Sequence, residues 1–199
     1  MNIDLHIHCR ERSSCGRASE REIIEAAQRA GLDALVFTDH DRLVPAEHLD
    51  ALNRQYAPFR IFGGVEVSLP EEHVVVLGIQ NPALESMAWE YETLWRFVRK
   101  QGGFMTLAHP FRFHDPIGVP IERFPPDAIE VYSINTAVRN EKRIREIAGR
   151  LSIRLLSDSD SHTTATVGLF YNQVAQDVAT DEALMAALRQ EQPVLVNRY

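Results

Sequence analysis

Asn2-Ile3-Asp4-Leu5-His6-Ile7-His8 places two imidazoles at i and i+2, with a carboxylate two residues ahead of the first. Alternate side chains of a strand share a face, so His6 and His8 point the same way, about 6–7 Å apart along the backbone. Ile3, Leu5 and Ile7 are expected together on the opposite face, in a core. Imidazole is the commonest metal ligand, and two on adjacent rungs can chelate one ion. Alone, the pair reads equally well as the wetted face of a strand. The other motifs decide.

Outward from this stretch, strands and helices alternate. Ser19 and Glu22 form a capping box for a helix that stops at Gly31. Leu32 to Phe37 reads as a buried strand, Pro45 to Tyr56 as a helix, and Arg60 to Leu69 and Val74 to Gly78 as strands. The apolar spacing of Leu84, Met87, Ala88, Tyr91, Leu94, Trp95 and Val98 predicts one long helix over 83–101 that packs on a core. Strands over 104–108, 128–132 and 153–156, a helix over 136–150, a helix capped by Thr180 and a closing Val194-Leu195-Val196 follow. This order predicts a single α/β domain spanning 1–199. Its mainly parallel sheet closes as a distorted (β/α)7 barrel, the chain being short of the ~250 residues usual for eight units.

Position then carries the argument. His6, His8, His40, Glu66, His109, Asp160 and His162 all fall at or just past the C-terminal end of an expected strand, and His73 at the start of one. In a β/α barrel those ends converge on the mouth where active sites are built. Six of the eight histidines thus share one cavity with Glu66 and Asp160, while His48 and His114 are expected in solvent. Mixed imidazole and carboxylate ligation without a set of thiolates indicates a catalytic Zn, Mn, Fe or Mg-type centre rather than a closed structural zinc site. So many ligands exceed the needs of one ion. Two or three divalent ions sharing a bridging carboxylate suit in-line displacement at phosphorus.

The bulk composition adds exclusions. The 199 residues are 45% hydrophobic and 25% charged, as in ordinary globular proteins. No apolar run approaches the ~18–20 residues of a membrane span. A net charge of −7 and the lack of a basic, aromatic-lined track argue against long nucleic acids as partners. Cys9 and Cys15, six apart, make a poor disulfide framework; with no signal-peptide layout at the N-terminus, a cytoplasmic location is expected.

Five motifs, His6-Ile7-His8, Thr38-Asp39-His40, Gly64-Val65-Glu66-Val67-Ser68, Ala108-His109-Pro110 and Ser159-Asp160-Ser161-His162, together resemble the PHP (polymerase and histidinol phosphatase) domain in that family's order. The Ile129-Glu130-Val131-Tyr132 strand and Val167-Gly168 resemble it too. The resemblance implies a distorted seven-stranded barrel, a trinuclear metal cluster and metal-dependent phosphoesterase activity. By position it implies one ion on His6, His8, Glu66 and Asp160, a second on Glu66, His73 and His109, and a third on His40 and His162. The family's further third-ion ligand, an Asp or His five or six residues after the second histidine, is replaced here by Ser13 and Ser14. Cys15 is the preferred substitute and Glu11 a weaker one; otherwise the third ion binds loosely or is missing.

The expected chemistry is hydrolysis of a small phosphate ester by a water that bridges two ions and loses its proton near neutral pH. Glu66, Asp160 and His162 are the candidate catalytic residues, Asp160 or a nearby histidine moving the proton. Arg112 and Arg139 are candidate phosphate clamps, and Asp39 a candidate for orienting an imidazole. Three rivals are weighed. Many amidohydrolases also begin with His-x-His, but need a barrel lysine, which neither Lys100 nor Lys142 is placed to be. A nuclease or nucleotide phosphatase for short oligonucleotides is the second, and a catalytically silent metal-binding regulatory module the third. The natural substrate and the oligomeric state are not encoded in any motif.

Overall fold

The computed structural model describes residues 1–85, 88–175 and 178–199. In order these form β1 (Asn2–Ile7), α1 (Glu20–Arg29), β2 (Ala34–Phe37), α2 (Ala46–Tyr56), β3 (Arg60–Ser68), β4 (His73–Leu77), α3 (Tyr91–Gln101), β5 (Phe104–Leu107), β6 (Ala128–Tyr132), α4 (Glu141–Leu151), β7 (Arg154–Ser157), β8 (Phe170–Gln173), α5 (Asp181–Gln190) and β9 (Val194–Asn197). One sheet runs β7-β6-β5-β4-β3-β2-β1-β8-β9 and curls into a nearly closed, distorted barrel. No helix of the described residues is long and apolar enough to cross a membrane.

The sheet is less parallel than the sequence suggests. Pairs β1–β2, β2–β3, β5–β6 and β6–β7 are parallel, whereas β3–β4, β4–β5, β1–β8 and β8–β9 are antiparallel. The short link from Ser68 to His73 makes a hairpin rather than a helical crossover, which forces β4 to run backwards. Among the described residues nine strands replace the expected seven. β8 carries no alternation that marks it in the sequence; it pairs with Asn2 and Ile3 of β1 and along its whole length with β9.

Two helices also differ from expectation. The stretch 83–101 holds a 3₁₀ turn, Pro82–Glu85, and a separate helix from Tyr91 capped by Glu90. Leu84, Tyr91, Leu94 and Val98 still pack in one cluster, because either geometry turns them to the same side; Met87 lies outside the described residues. The helix expected over 136–150 starts as a 3₁₀ turn at Val138–Asn140. The capping box of Ser19 and Glu22 is present.

Three apolar layers hold the barrel. Ile3, Leu5, Ala34, Val36, Phe62, Val75, Leu77, Phe104, Ala128 and Leu156, drawn from seven strands, meet Leu184, Met185 and Leu188 of α5, which closes the interior from below. Outside, α1 and α2 pack against Leu35, Phe37 and Ile61, and α3 and α4 against Val65, Val67, Val74, Val76, Met105, Leu107, Ile129 and Val131. Inward positions therefore change character along each strand. Phe62 gives way to Glu66, Leu77 and Val75 to His73, and Ala128 to Glu130. The interior is packed at one end and polar at the other. Gly64 sits between these zones because a Cβ there would stand 2.7 Å from Leu77 and 2.9 Å from the carbonyl oxygen of Val76.

β1 departs from simple alternation. Its register with β2 slips between Asp4 and Ile7, and a bulge of this kind re-aims side chains. Ile3 and Leu5 join the interior cluster while Ile7 packs outward with α1. The expected single apolar face is thus split, and His6 and His8 are free to turn into the same interior above Ile3 and Leu5.

Side-chain amides close the seam between β7 and the β8–β9 hairpin. Asn172, fully buried, accepts from the Ser157 N–H at 3.0 Å and donates to the Ser157 carbonyl at 2.9 Å and to Asp158 Oδ1 at 2.7 Å. Gln192 does the same for the Leu155 N–H and carbonyl, at 3.0 and 2.7 Å. Each amide takes the place of a strand partner. Asn172→Leu keeps the size but removes the partner of the buried Ser157 N–H and carbonyl, while Asp158 Oδ1 keeps the Leu5 N–H, and should cost roughly 2–4 kcal/mol in denaturant unfolding. Gln192→Leu, at an exposed edge where water can substitute, should cost under about 1 kcal/mol. Equal small losses in both variants would contradict this role for Asn172.

Candidate metal centre

The expected imidazole and carboxylate ligands lie in or just beyond strands at the polar end of the barrel, and Cys15 in the loop after β1. His6 lies in β1 with His8 just beyond it, Glu66 in β3, and His73 opens β4, whose reversed direction puts its first residue at the mouth. His40 is held by a bridge to Glu66, and Ser161 by a bridge to Ile7. His109 and Asp160 adopt left-handed backbone angles, φ +26° and +51°, which turn their side chains inward at strand ends. Such costly angles persist where the surroundings enforce them.

The side chains converge on Glu66. His6 Nε2 and His8 Nε2 lie 3.1 and 3.0 Å from Glu66 Oε2 and 3.4 and 3.2 Å from Asp160 Oδ1, and 3.0 Å from each other. Four ligands on a tetrahedral ion with bonds of ~2.0–2.1 Å stand about 3.3 Å apart. This quartet matches that spacing. His40 Nδ1 also approaches Oε2, at 3.2 Å, yet Oε2 is buried and accepts no hydrogen bond. Donor atoms that crowd a buried oxygen without bonding to it suit a cation among them. The other oxygen, Oε1, faces His73 Nδ1 at 2.9 Å and His109 Nε2 at 3.0 Å. The six histidines form a connected set, each ring within 4.4 to 6.1 Å of the next.

Among the described residues, three groups have ligand atoms within 4.8 Å of one another: His6, His8, Glu66 and Asp160; His40, Glu66 and His73; and His8, Cys15, His40 and His162. The first is the quartet implied by the resemblance. The other two share His40, and the first and last share His8, so the sets are less separate than the motifs imply.

A second layer of polar groups fixes the imidazoles. Glu130, wholly buried, lies 2.6 Å from His6 Nδ1 through Oε1 and accepts the His109 N–H at 2.7 Å through Oε2. Ser13 Oγ lies 3.3 Å from His8 Nδ1 and accepts the His40 N–H at 2.9 Å. His162 Nδ1 lies 2.8 Å from the carbonyl oxygen of Asp160, which makes it the donor and leaves Nε2 its lone pair. Asn135 donates to Asp160 Oδ2 at 2.6 Å.

Several sequence expectations need correction. Asp39 touches no imidazole; it accepts from the Cys9 N–H and Sγ and from Arg12 Nε, and so braces the loop after β1. Glu11 accepts the Glu20 N–H at the start of α1 and is thereby occupied. Arg112 reaches the mouth, with Nη1 3.6 Å from Asp160 Oδ2. Arg139 is exposed and lines a surface hollow with Val138, Glu141 and Arg145. His114 is exposed, and His48 pairs with Glu20 at 2.7 Å. No sequence motif assigns a role to Glu130, Ser13 or Asn135. Glu130 was readable from its inward parity with Ala128; the other two come from loops, where no period marks the direction of a side chain.

Burial works against charge on His6, His8, Glu66 and Asp160, where the neighbours decide the outcome. His6 is raised well above the usual histidine range because Glu66, Asp160 and Glu130 outweigh burial. The neighbouring carboxylates of Asp160 and Glu66 likewise raise His8 to about 9 against its burial. Glu66 and Asp160 are held below the carboxylate range by these histidines despite their burial. His40 is pushed down to about 4, mainly by burial and further by His8 and His73.

A family model described as PHP-associated matches residues 139–193. No curated protein matches the chain. Among solved structures, PsfC from Pseudomonas syringae superposes with a TM-score of 0.73 at 20% identity, covering 98% of this chain and 91% of that one. A two-domain protein from Bacteroides vulgatus, whose PHP-like metal-dependent phosphoesterase was assigned by prediction, gives 0.71 at 17%, covering 99% of this chain and 64% of that one. The lesion-specific endonuclease EndoQ from Pyrococcus furiosus gives 0.64 at 18%, covering 98% and 57%. At these identities the likeness is one of fold. The family-model match, over 55 of the 199 residues (139–193), is a likeness to the PHP-associated region and agrees with that fold.

A metal binds neutral imidazole, so at pH 7 uptake must displace the proton that His8 holds up to about pH 9. Apparent metal affinity should therefore rise with pH toward about 9. In the metal-free protein, the His8 ion pairs stabilise the fold fully below the ordinary histidine pKa. That contribution is lost as pH rises through about 9. Proton release measured on adding zinc in weak buffer checks this; uptake at pH 7 without released protons would contradict it.

Proposed function

We propose that this chain is a metal-dependent phosphoesterase that hydrolyses a small phosphate ester at a centre of two or three divalent cations. One observation carries the reading: the two oxygens of buried Glu66 face different imidazole sets, His6, His8 and His40 on one side and His73 and His109 on the other. A carboxylate so flanked suits a bridge between two ions, the arrangement used for displacement at phosphorus. His6, His8, Glu66 and Asp160 would hold the first ion, Glu66, His73 and His109 a second, and His40 and His162 belong to a third. Bound divalent cations supply Lewis acidity, neutralising phosphoryl oxygens and acidifying water.

The chain's own residues do the rest. Arg112, about one-third exposed beside Asp160, is placed to take a phosphate oxygen entering the mouth. Asp160 Oδ2, steadied by Asn135, is the proton acceptor nearest that entry, and His162 Nε2 a second. Glu130 and Ser13 hold His6, His8 and the backbone at His40 and His109 in register. Two free thiols suit a reducing compartment such as the cytoplasm. A nuclease or nucleotide phosphatase is the second reading. Phe113, 45% exposed with its ring 4.7 Å from that of His73, offers a stacking surface for a base beside the centre.

Phosphate release from a panel of monoesters, mononucleotides, a 3′,5′-bisphosphonucleotide and a short oligonucleotide, using manganese-loaded protein, tests the proposal. Losing a ligand should cost more than losing an outer partner, so Asp160→Asn should reduce turnover by at least ~100-fold while remaining folded. Turnover confined to the oligonucleotide would favour the nuclease reading. Silence across the panel with metal bound would favour a regulatory metal-binding module.

A further inference from the structure

The loop that leaves β1, residues 9–17, is pinned in a way the phosphoesterase reading does not use. Ser13 N–H donates to the Cys9 carbonyl at 3.0 Å, Gly16 N–H to the Ser13 carbonyl at 3.0 Å, and Arg17 N–H to the His162 carbonyl at 2.8 Å. Gly16 lies so close to Cys9 that a Cβ would fall 2.4 Å from its carbonyl carbon, so only glycine fits. Arg12, mostly buried, clamps the loop from within through Asp39 at 2.8 Å, Cys9 Sγ at 3.0 Å and Glu20. These contacts set the Cys15 thiol among His8, His40 and His162, with all four ligand atoms within 4.8 Å. A separate observation borders the same spot: Glu66 Oε2, buried and without a hydrogen-bond donor, stands 3.0 Å from His8 Nε2 and 3.2 Å from His40 Nδ1, two of the four ligands.

The composition of this group sets it apart. The other two groups each contain a carboxylate; this one contains sulfur and three imidazoles. Sulfur with nitrogen favours zinc and its tetrahedral relatives, whereas manganese and magnesium prefer oxygen. We infer that Cys15, with His40, His162 and the edge of His8, forms a sulfur–imidazole site at the barrel mouth that selects a thiophilic divalent cation, so that the centre holds two kinds of metal. The inference rests on the metal centre proposed above. As the sulfur–metal bond forms, the thiol proton passes to solvent and no redox change is involved.

Only Cys15 is placed to report on this. Cys9 is fully buried between Asp39 and Arg12, while Cys15 is partly exposed. In metal-free protein, Cys15 should react with a chromogenic disulfide, and saturating zinc should slow that reaction at least ~10-fold by tying up the thiolate, while manganese should leave it unchanged. Cobalt should give a sulfur-to-metal charge-transfer band in the wild type that Cys15→Ser lacks. By dialysis, Cys15→Ser should bind one zinc fewer and the same amount of manganese. Zinc that binds without protecting the thiol, with no cobalt band, overturns the sulfur site and leaves the carboxylate centre standing. If no divalent cation binds at all, the metal centre itself fails and the inference fails with it.

Discussion

A single carboxylate, that of Glu66, sets the terms for the polar half of this barrel. It is buried, charged and surrounded by five imidazoles within 2.9 to 3.2 Å. An ionised carboxylate out of water is expensive unless opposite charge offsets it. In the metal-free chain His6 and His8 do this by holding protons. Cations between the rings would do it better, since they free Oε2 from its lack of a partner. The same requirement accounts for Glu130, which braces both His6 and the backbone of His109.

The barrel meets this requirement through departures from regularity. A bulge in β1 lets His6 and His8 share the interior with Ile3 and Leu5. A reversed β4 delivers His73 from its first residue. Left-handed backbone at His109 and Asp160 turns two more ligands inward. The α5 plug and the amide-closed seam supply the packing that keeps these features in place.

Much of this was legible because the chemistry sits on periodic elements. His6 and His8 alternate on a strand, and Glu66, His109 and Asp160 close strands whose apolar runs are plain, so a motif and its direction could be read together. Legibility ended where direction depends on tertiary pairing. The residues of β4 read as a strand but not as a reversed one, and β8 has no pattern of its own. Asp39 looked like a partner for its neighbour His40, yet both lie beyond the end of β2, where no strand period sets direction, and Asp39 braces Arg12 and Cys9 instead. Arg112 and Arg139 read alike in sequence; only folding brings the first beside Asp160 and leaves the second on the surface.

Whether Glu66 would bridge two cations, as proposed above, is tested most directly by counting the manganese bound per chain, by equilibrium dialysis with elemental analysis, for the wild type and for Glu66→Gln. The wild type should hold at least two ions, and the neutral amide, which keeps the shape but loses the charge and one acceptor oxygen, should lose binding at both positions together. Equal stoichiometry and affinity in the two proteins, or loss of a single ion with the other unaffected, would contradict the bridge.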